Sequence, residues 1–351
     1  MACYEYFRVD IHSKSNLCAK FNDLLSEIDQ IGLDWHQDTI INNSKINSKF
    51  VTQSLRDIKK IQGKKSESAI VISAGPSLYK NNILERIKDG GYAGTIIAID
   101  GSLVRCLKAG LIPDYVLTLD PHPTRIIRWF GDPEFEKNSE GDDYFSRQDL
   151  DISFRKDSTK ENNNNIKLIN ESCRNMKLAI CSSAPINVVN RALDVGFDMY
   201  WWAPLVDSLK SEQSITKSII SHTGLPAMNT GGTVGTAAWV FASMVLQIAK
   251  VAVVGMDLGY YKNDTSYKLT QTYYSLIEKV GESNIQEYFP EIICPQSGEP
   301  FYTDPTYYWY RLNMLDLIKA SKTTLFNCTG AGTLFGPGVT LVNLEEYMEI
   351  N

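Results

Sequence analysis

The hydrophobic pattern of the chain changes its period once. Residues 15–65 carry apolar positions at helical spacing: Phe21, Leu24, Leu25 and Ile28, then Phe50, Leu55, Ile58 and Ile61. This predicts an N-terminal helical section over 1–65, broken in the middle by the turn-forming stretch NNSKINS. From residue 68 onward, short apolar runs alternate with helical stretches. The runs at 68–73, 95–100, 115–119, 177–182, 197–202, 251–256 and 323–327 predict strands, with helices filling most of the gaps. Such alternation is the mark of βαβ units. Residues 66–351 therefore read as one α/β, Rossmann-like domain, with a mostly parallel sheet covered by helices on both faces.

Two stretches depart from this rhythm. Residues 132–165 are polar and charged and end in an Asn run, which predicts an exposed insertion, mobile in part. Residues 260–305 hold Tyr260, Tyr261, Tyr267, Tyr273, Tyr274, Tyr288 and Tyr302, and their aromatic density predicts a packed flap rather than a loose loop. The longest apolar stretch, 233–256, is interrupted by small polar residues and Lys250. It reads as a buried helix followed by a strand, not as a membrane span.

Composition narrows the classes. A net charge of -6 argues against non-specific binding to nucleic acid or an anionic membrane. The seven cysteines are scattered and contain no CxxC pair, so neither a disulfide framework nor a zinc cluster is expected. The first residues carry charges throughout and no apolar segment of the signal-peptide kind. A reducing, cytoplasmic setting is the expectation.

Candidate chemistry gathers where strands end. In an open parallel sheet, ligands sit beyond the carboxyl ends of the strands. After the first strand comes SAGPSL, where Gly75 allows close backbone approach, Pro76 fixes the turn, and Ser77 and Leu78 open a helix. Amides at such a helix start suit phosphate; a plain tight connection is the competing reading. Asp100, followed by Gly101 and Ser102, ends the second strand, and Asp120 ends the third. Either Asp alone reads as a helix cap, but two carboxylates on one rim suit sugar hydroxyls or a divalent ion. Thr230, Gly231, Gly232 and Thr233 begin a small-residue helix that offers further amides or simply packs closely. Asp257 and Tyr260 follow another strand end, and His222 lies in the core region. Asp257 and His222 are the candidate general bases. Arg125 and Arg128 either hold an anion or lie on a solvated helix face. No GxSxG or HExxH is present, which argues against serine-hydrolase and zinc-protease chemistry.

Taken in order, GPSL (75–78), DGS with LKAGLIPDYVLTLDP (100–121), TGGTVGTAA with VVGMDLGY (230–260) and NCTGAGTLFGPGV (327–339) resemble the motility accessory factor (Maf) glycosyltransferases. The same domain family includes the MptE-like 6-hydroxymethylpterin pyrophosphokinases, and it is distantly similar to bacterial sialyltransferases. The resemblance spans roughly 48–345. It implies that Gly75, Pro76, Ser77 and Leu78 approach a nucleotide phosphate. It also implies that Asp100, Gly101, Ser102 and Thr230–Thr233 face the nucleotide or sugar, with Asp257 and Tyr260 close by. The chain departs from the family in two motifs. The late TEGG-type motif is here CTGAG (328–332), and the pyrophosphokinase TDLDG is here LTLDP (117–121), keeping Asp120 but losing the first aspartate.

The leading expectation is a glycosyltransferase using a nucleotide-activated sugar, of the CMP-nonulosonic or sialic-acid kind, on a protein or glycan hydroxyl. It would need no metal. The alternatives are a Mg2+-dependent pyrophosphokinase acting on a hydroxymethylpterin-like substrate, with Asp100 and Asp120 as ligands, and a nucleotide-binding protein without catalysis. Nucleic-acid partners and a membrane span are not expected.

Overall fold

The computed structural model describes residues 37–61, 67–141 and 153–350. The earliest helical positions of the N-terminal section, and residues 142–152 of the polar stretch, lie outside the described residues. Each of the seven apolar runs forms a strand: β1 (Ser68–Ile72), β2 (Thr95–Ile99), β3 (Tyr115–Thr118), β4 (Lys177–Cys181), β5 (Asp198–Leu205), β7 (Lys250–Val254) and β11 (Thr324–Asn327). Two short strands, β6 (Ala227–Asn229) and β12 (Val339–Leu341), complete the sheet. The nine strands run in the order β12-β11-β7-β1-β2-β3-β4-β5-β6, and every neighbouring pair is parallel.

Both faces are covered, because the strands are apolar at consecutive positions. Ala69 and Val71 point into one core with Ile97, Trp202 and Trp239. Ile70 and Ile72 point into another with Leu78, Ile83, Ile87 and Tyr347. Burying each such Ile or Val stabilises the fold by about 1.5–3 kcal/mol, which a sheet with one wet face would forgo at every second residue.

The helices that matter for the site are α1 (37–47), α2 (Ser77–Lys80), α3 (Asp100–Lys108), α4 (Ser153–Ser172), α5 (Ile215–Thr223), α6 (Val234–Val240), α7 (Pro305–Ala320) and α8 (Leu344–Glu349). The chain builds outward from β1 to β6, then returns across the sheet and adds β7, β11 and β12 on the other side of β1. The β1–β7 boundary is thus the topological switch point, where connections leave in opposite directions and open a crevice. At the opposite end of this pair, the Tyr347 hydroxyl of α8 lies 2.9 Å from the Ala69 carbonyl and 3.0 Å from that of Lys250. Between β7 and β11 stands a second, antiparallel sheet of β8 (Tyr260–Tyr261), β10 (Pro300–Tyr302) and β9 (Glu291–Ile293). Tyr267, Tyr273, Ile285 and Phe289 form its core, with Tyr260 and Tyr302 packed against them.

Two local expectations are corrected. NNSKINS is not a break: α1 runs through residue 47. Asn43 donates to the Pro121 and Ser183 carbonyls, and Asn47 to those of Ser182 and Ala184. The asparagines therefore join α1 to the loops after β3 and β4. Residues 53 and 54 then cover the open edge of β5, where Trp201 N donates to the Gln53 carbonyl. The described residues 37–61 therefore pack directly onto the sheet and its loops. Nor is the 132–165 stretch a loose insertion over its described residues. Helix α4 is 20 residues long and buries Ser158, Asn162, Asn165 and Ile169, all on one face by their spacing. Asn162 accepts from Asp132 N and donates to Asp132 O, while Asn165 donates to Arg128 O. A polar inner face carries no hydrophobic period, so the sequence pattern conceals it.

Replacing Asn162 by Ala leaves the buried Asp132 N–H unpaired and removes one of the two donors to Asp132 O, the other being Phe135 N. We expect Asn162→Ala to lower unfolding free energy by about 1–3 kcal/mol in urea titrations. Asn164→Ala, on the exposed face of the same helix, should stay within about 0.5 kcal/mol of the parent.

Candidate functional site

The crevice is built from the loops after β1, β2, β3, β7 and β11. After β1, Ser73 N donates to Val254 O and Gly75 N to Gly255 O, so this loop stays paired with the one after β7. A Cβ on Gly75 would overlap Asp257 Oδ2 and stand 2.5 Å from Gly255 O. The missing side chain is therefore filled by a carboxylate, and the Gly75 amide is already bonded. This corrects the expectation that the bare turn holds free amides for an anion. Ser77 is fully buried, its Oγ donating to Asp257 Oδ2 at 2.8 Å, with its N–H 3.4 Å from the same oxygen. Leu78 is buried in the core, while Gly75 and Pro76 remain half-buried at the rim.

Asp257 is 2 % exposed, and its Oδ1 has no hydrogen-bond partner. Burial pushes its carboxyl up to about 6, against the opposing pull of the Ser77 hydroxyl and amide and of Lys80. The backbone around it is tightly held. Leu258, immediately after it, has φ of 46°, a left-handed conformation that costs a bulky residue on the order of 1–3 kcal/mol. Thr333 maintains that turn, donating its N–H to Asp257 O and its hydroxyl to Leu258 O. Gly332, in CTGAG, lies so close to the Asp257 backbone that any Cβ would collide with it. This loop thus serves as a backstop for Asp257.

Asp100 lies on the neighbouring loop, 2 % exposed at the start of α3. Its oxygens accept from Gly101 N at 2.7 Å and from the Thr118 hydroxyl at 2.9 Å. Burial pushes its carboxyl up to about 7. Ser102 is buried and donates to Ile72 O, tying the ends of β1 and β2 together rather than facing the crevice. Gly101 borders Ala74 and Trp129. Asp120 is half-buried; its oxygens accept from His122 N and from Arg125, 2.7 Å away. Arg125 is therefore part of the rim and not of a solvated helix face.

The start of α6 reaches the same rim, since a Cβ on Gly235 would stand 2.7 Å from Ser73 Oγ. Gly231 N and Gly232 N donate to the side chains of Asn229 and Thr230, and Thr233 Oγ1 caps Thr236 N. Gly231 (φ 59°) packs on Leu317, and Gly232 (φ 93°) on Trp309 and Tyr310 of α7, which closes the crevice from above. Asp304 caps α7, accepting from Tyr307 N and the Tyr260 hydroxyl, so Tyr260 fastens this wall to β8. His222 does not join the group. It is exposed in the last turn of α5, packed at the β5 edge, and its Nδ1 meets the Ser218 carbonyl one turn back.

Sequence reasoning missed Lys80, Thr118, Tyr307 and Tyr310. Lys80 Nζ lies 3.3 Å from the centre of the Tyr261 ring, within electrostatic reach of Asp257. The aromatic run PTYYWY directly after a capping Asp was the available signal for Tyr307 and Tyr310. Among the described residues, no group of three or more His, Cys, Asp or Glu side chains is arranged to hold a metal ion.

The architecture and rim define a Rossmann-like α/β protein with its crevice at the switch point of a parallel sheet. Residues 39–128 match the family model described as 6-hydroxymethylpterin diphosphokinase MptE-like. The fold is similar to that of the Maf glycosyltransferase from Magnetospirillum magneticum AMB-1, with a TM-score of 0.50 and 13% identity over 88% of this chain. The chain spans 38% of that protein's length. The curated proteins contain no match. The resemblance read from the ordered motifs thus holds in sequence over the first crevice loops and in fold over most of the chain. No helix among the described residues is long and apolar enough to cross a membrane.

The raised carboxyls have a measurable consequence. A group whose proton affinity is higher in the folded state favours folding below its unfolded pKa, and that contribution is lost as pH rises through the folded value. For Asp100 the window runs from about 4 to about 7. We expect the melting temperature to fall between pH 5 and pH 8, and Asp100→Asn to flatten that fall.

Proposed function

We propose that this protein is a glycosyltransferase that moves a sugar from a nucleotide-activated donor, of the CMP-nonulosonic or sialic-acid kind, to a hydroxyl of a protein or glycan. The observation that carries this reading is the unpartnered Asp257 Oδ1 at the switch point. It is a buried acceptor with a proton affinity near 6, so it is ionised at neutral pH and able to take a proton. In the reaction, the acceptor oxygen forms its bond to the anomeric carbon while the bond from that carbon to the phosphate oxygen breaks. The hydroxyl proton passes to Asp257 Oδ1, and the nucleotide leaves with the electron pair. Lys80 acts electrostatically on this carboxylate and suits the donor's phosphate or carboxylate. The α7 wall, with Tyr307 and Tyr310, would limit water access and hence donor hydrolysis. The similarity of fold to a glycosyltransferase supports the reading.

The matched family over 39–128 favours a second reading, a Mg2+-dependent diphosphokinase acting on a hydroxymethylpterin-like hydroxyl. Its ion would require Asp100 and Asp120. Each of the four carboxylate oxygens of that pair already accepts one hydrogen bond, and Arg125 is ion-paired with Asp120, so a divalent ion would have to compete with Arg125 for that carboxylate.

Thermal-shift measurements separate the two readings, because a ligand raises apparent stability by mass action. CMP or CDP should raise the melting temperature in the presence of EDTA. A shift seen only with ATP and Mg2+ would establish the second reading instead. In CMP-release assays with a CMP-sugar donor, Asp257→Asn should lower kcat by about 10²–10⁴ while the CMP-induced thermal shift persists.

A further inference from the structure

We propose that Ser77 is a positioning residue for Asp257, holding Oδ2 so that Oδ1 alone is presented to the acceptor hydroxyl. The inference rests on the reading of Asp257 as the base and adds how the site directs that base.

The two oxygens of this carboxylate have opposite surroundings. Oδ2 takes the Ser77 hydroxyl at 2.8 Å and faces its N–H at 3.4 Å, and it occupies the space a Gly75 side chain would fill. Oδ1 is equally buried and has no partner. A buried carboxylate oxygen without a donor costs on the order of 1–3 kcal/mol, and such atoms are rare unless a water or ligand completes them. The side chain has little freedom to exchange the two oxygens. Gly332 and Thr333 fix its backbone from behind, and the left-handed turn at Leu258 fixes its direction. The motif read in sequence as a phosphate loop therefore acts first on a protein carboxylate. Gly75 makes room for it, and Ser77 binds it.

The other ionisable groups facing Asp257 are Lys80 on α2, Tyr261 on β8 and Tyr307 on α7. Lys80 favours the ionised form, as the Ser77 hydroxyl does. Removing that hydroxyl withdraws a donor from the ionised carboxylate while the other three groups stay in place. Proton affinity then rises.

The test is a carbon-13 NMR titration of the aspartate carboxyls in the full chain, with the Asp257 signal identified by its loss in Asp257→Asn. In Ser77→Ala the Asp257 midpoint should move up by about one pH unit, and Ser77→Thr, which keeps the hydroxyl, should stay near the parent. The acid limb of kcat/KM for the CMP-sugar should move with it, giving about a fivefold loss at pH 6 and less than twofold at pH 9. An unmoved midpoint in Ser77→Ala overturns the proposal. A moved midpoint with an unmoved rate profile upholds the Ser77–Asp257 coupling and rejects Asp257 as the base. Should Ser77→Ala fail to fold, Ser77→Cys decides: its weaker donor must shift the midpoint upward in the same direction, and no shift overturns the proposal.

Discussion

The contact between the β1 loop and Asp257 is the constraint on which the rest of the crevice depends. Two backbone hydrogen bonds extend the β1–β7 pairing past the strand ends, and the carboxylate closes over them into the gap left by Gly75. Because adjacent connections diverge at this boundary, a crevice opens there and a polar group can be buried beside it. The neighbouring pieces follow from this one. Ser77 is buried because it must reach Oδ2, Gly332 is bare because it abuts the Asp257 backbone, and Gly235 is bare because α6 begins against Ser73.

The sheet was legible in the sequence because fully buried parallel strands write themselves as continuous apolar runs, which helices and turns separate cleanly. The short β6 and β12 were not, since three residues at a sheet edge leave no run to read. The asparagines were misread for a definite reason. Asn43, Asn47, Asn162 and Asn165 have the composition of loops, yet each uses its amide to satisfy backbone groups of a distant loop. That partnership is non-local and leaves no periodic trace.

The site was legible in position but not in logic. Gly75, Asp100, Asp120, Gly232 and Asp257 each follow a strand of the same parallel sheet and so lie at its carboxyl edge. What the glycines admit could not be read: a glycine needed for a ligand and a glycine needed for a neighbouring carboxylate look alike in a single chain. His222 illustrates the opposite error. Its residue type suggested chemistry, but its helix ends at the sheet margin, away from the switch point.

The Tyr347 hydroxyl gives the central strand pair a second clamp, bridging β1 and β7 at their amino ends while Ser77 and Asp257 join the loops at their carboxyl ends. Strands fastened at both extremities can neither splay nor slip in register. The floor of the crevice is therefore a fixed plate. Whatever opening a bulky ligand demands must be supplied by the upper storey, where α7 and the tyrosine-rich sheet meet at the buried carboxylate of Asp304 and the Tyr260–Tyr307 ring contact.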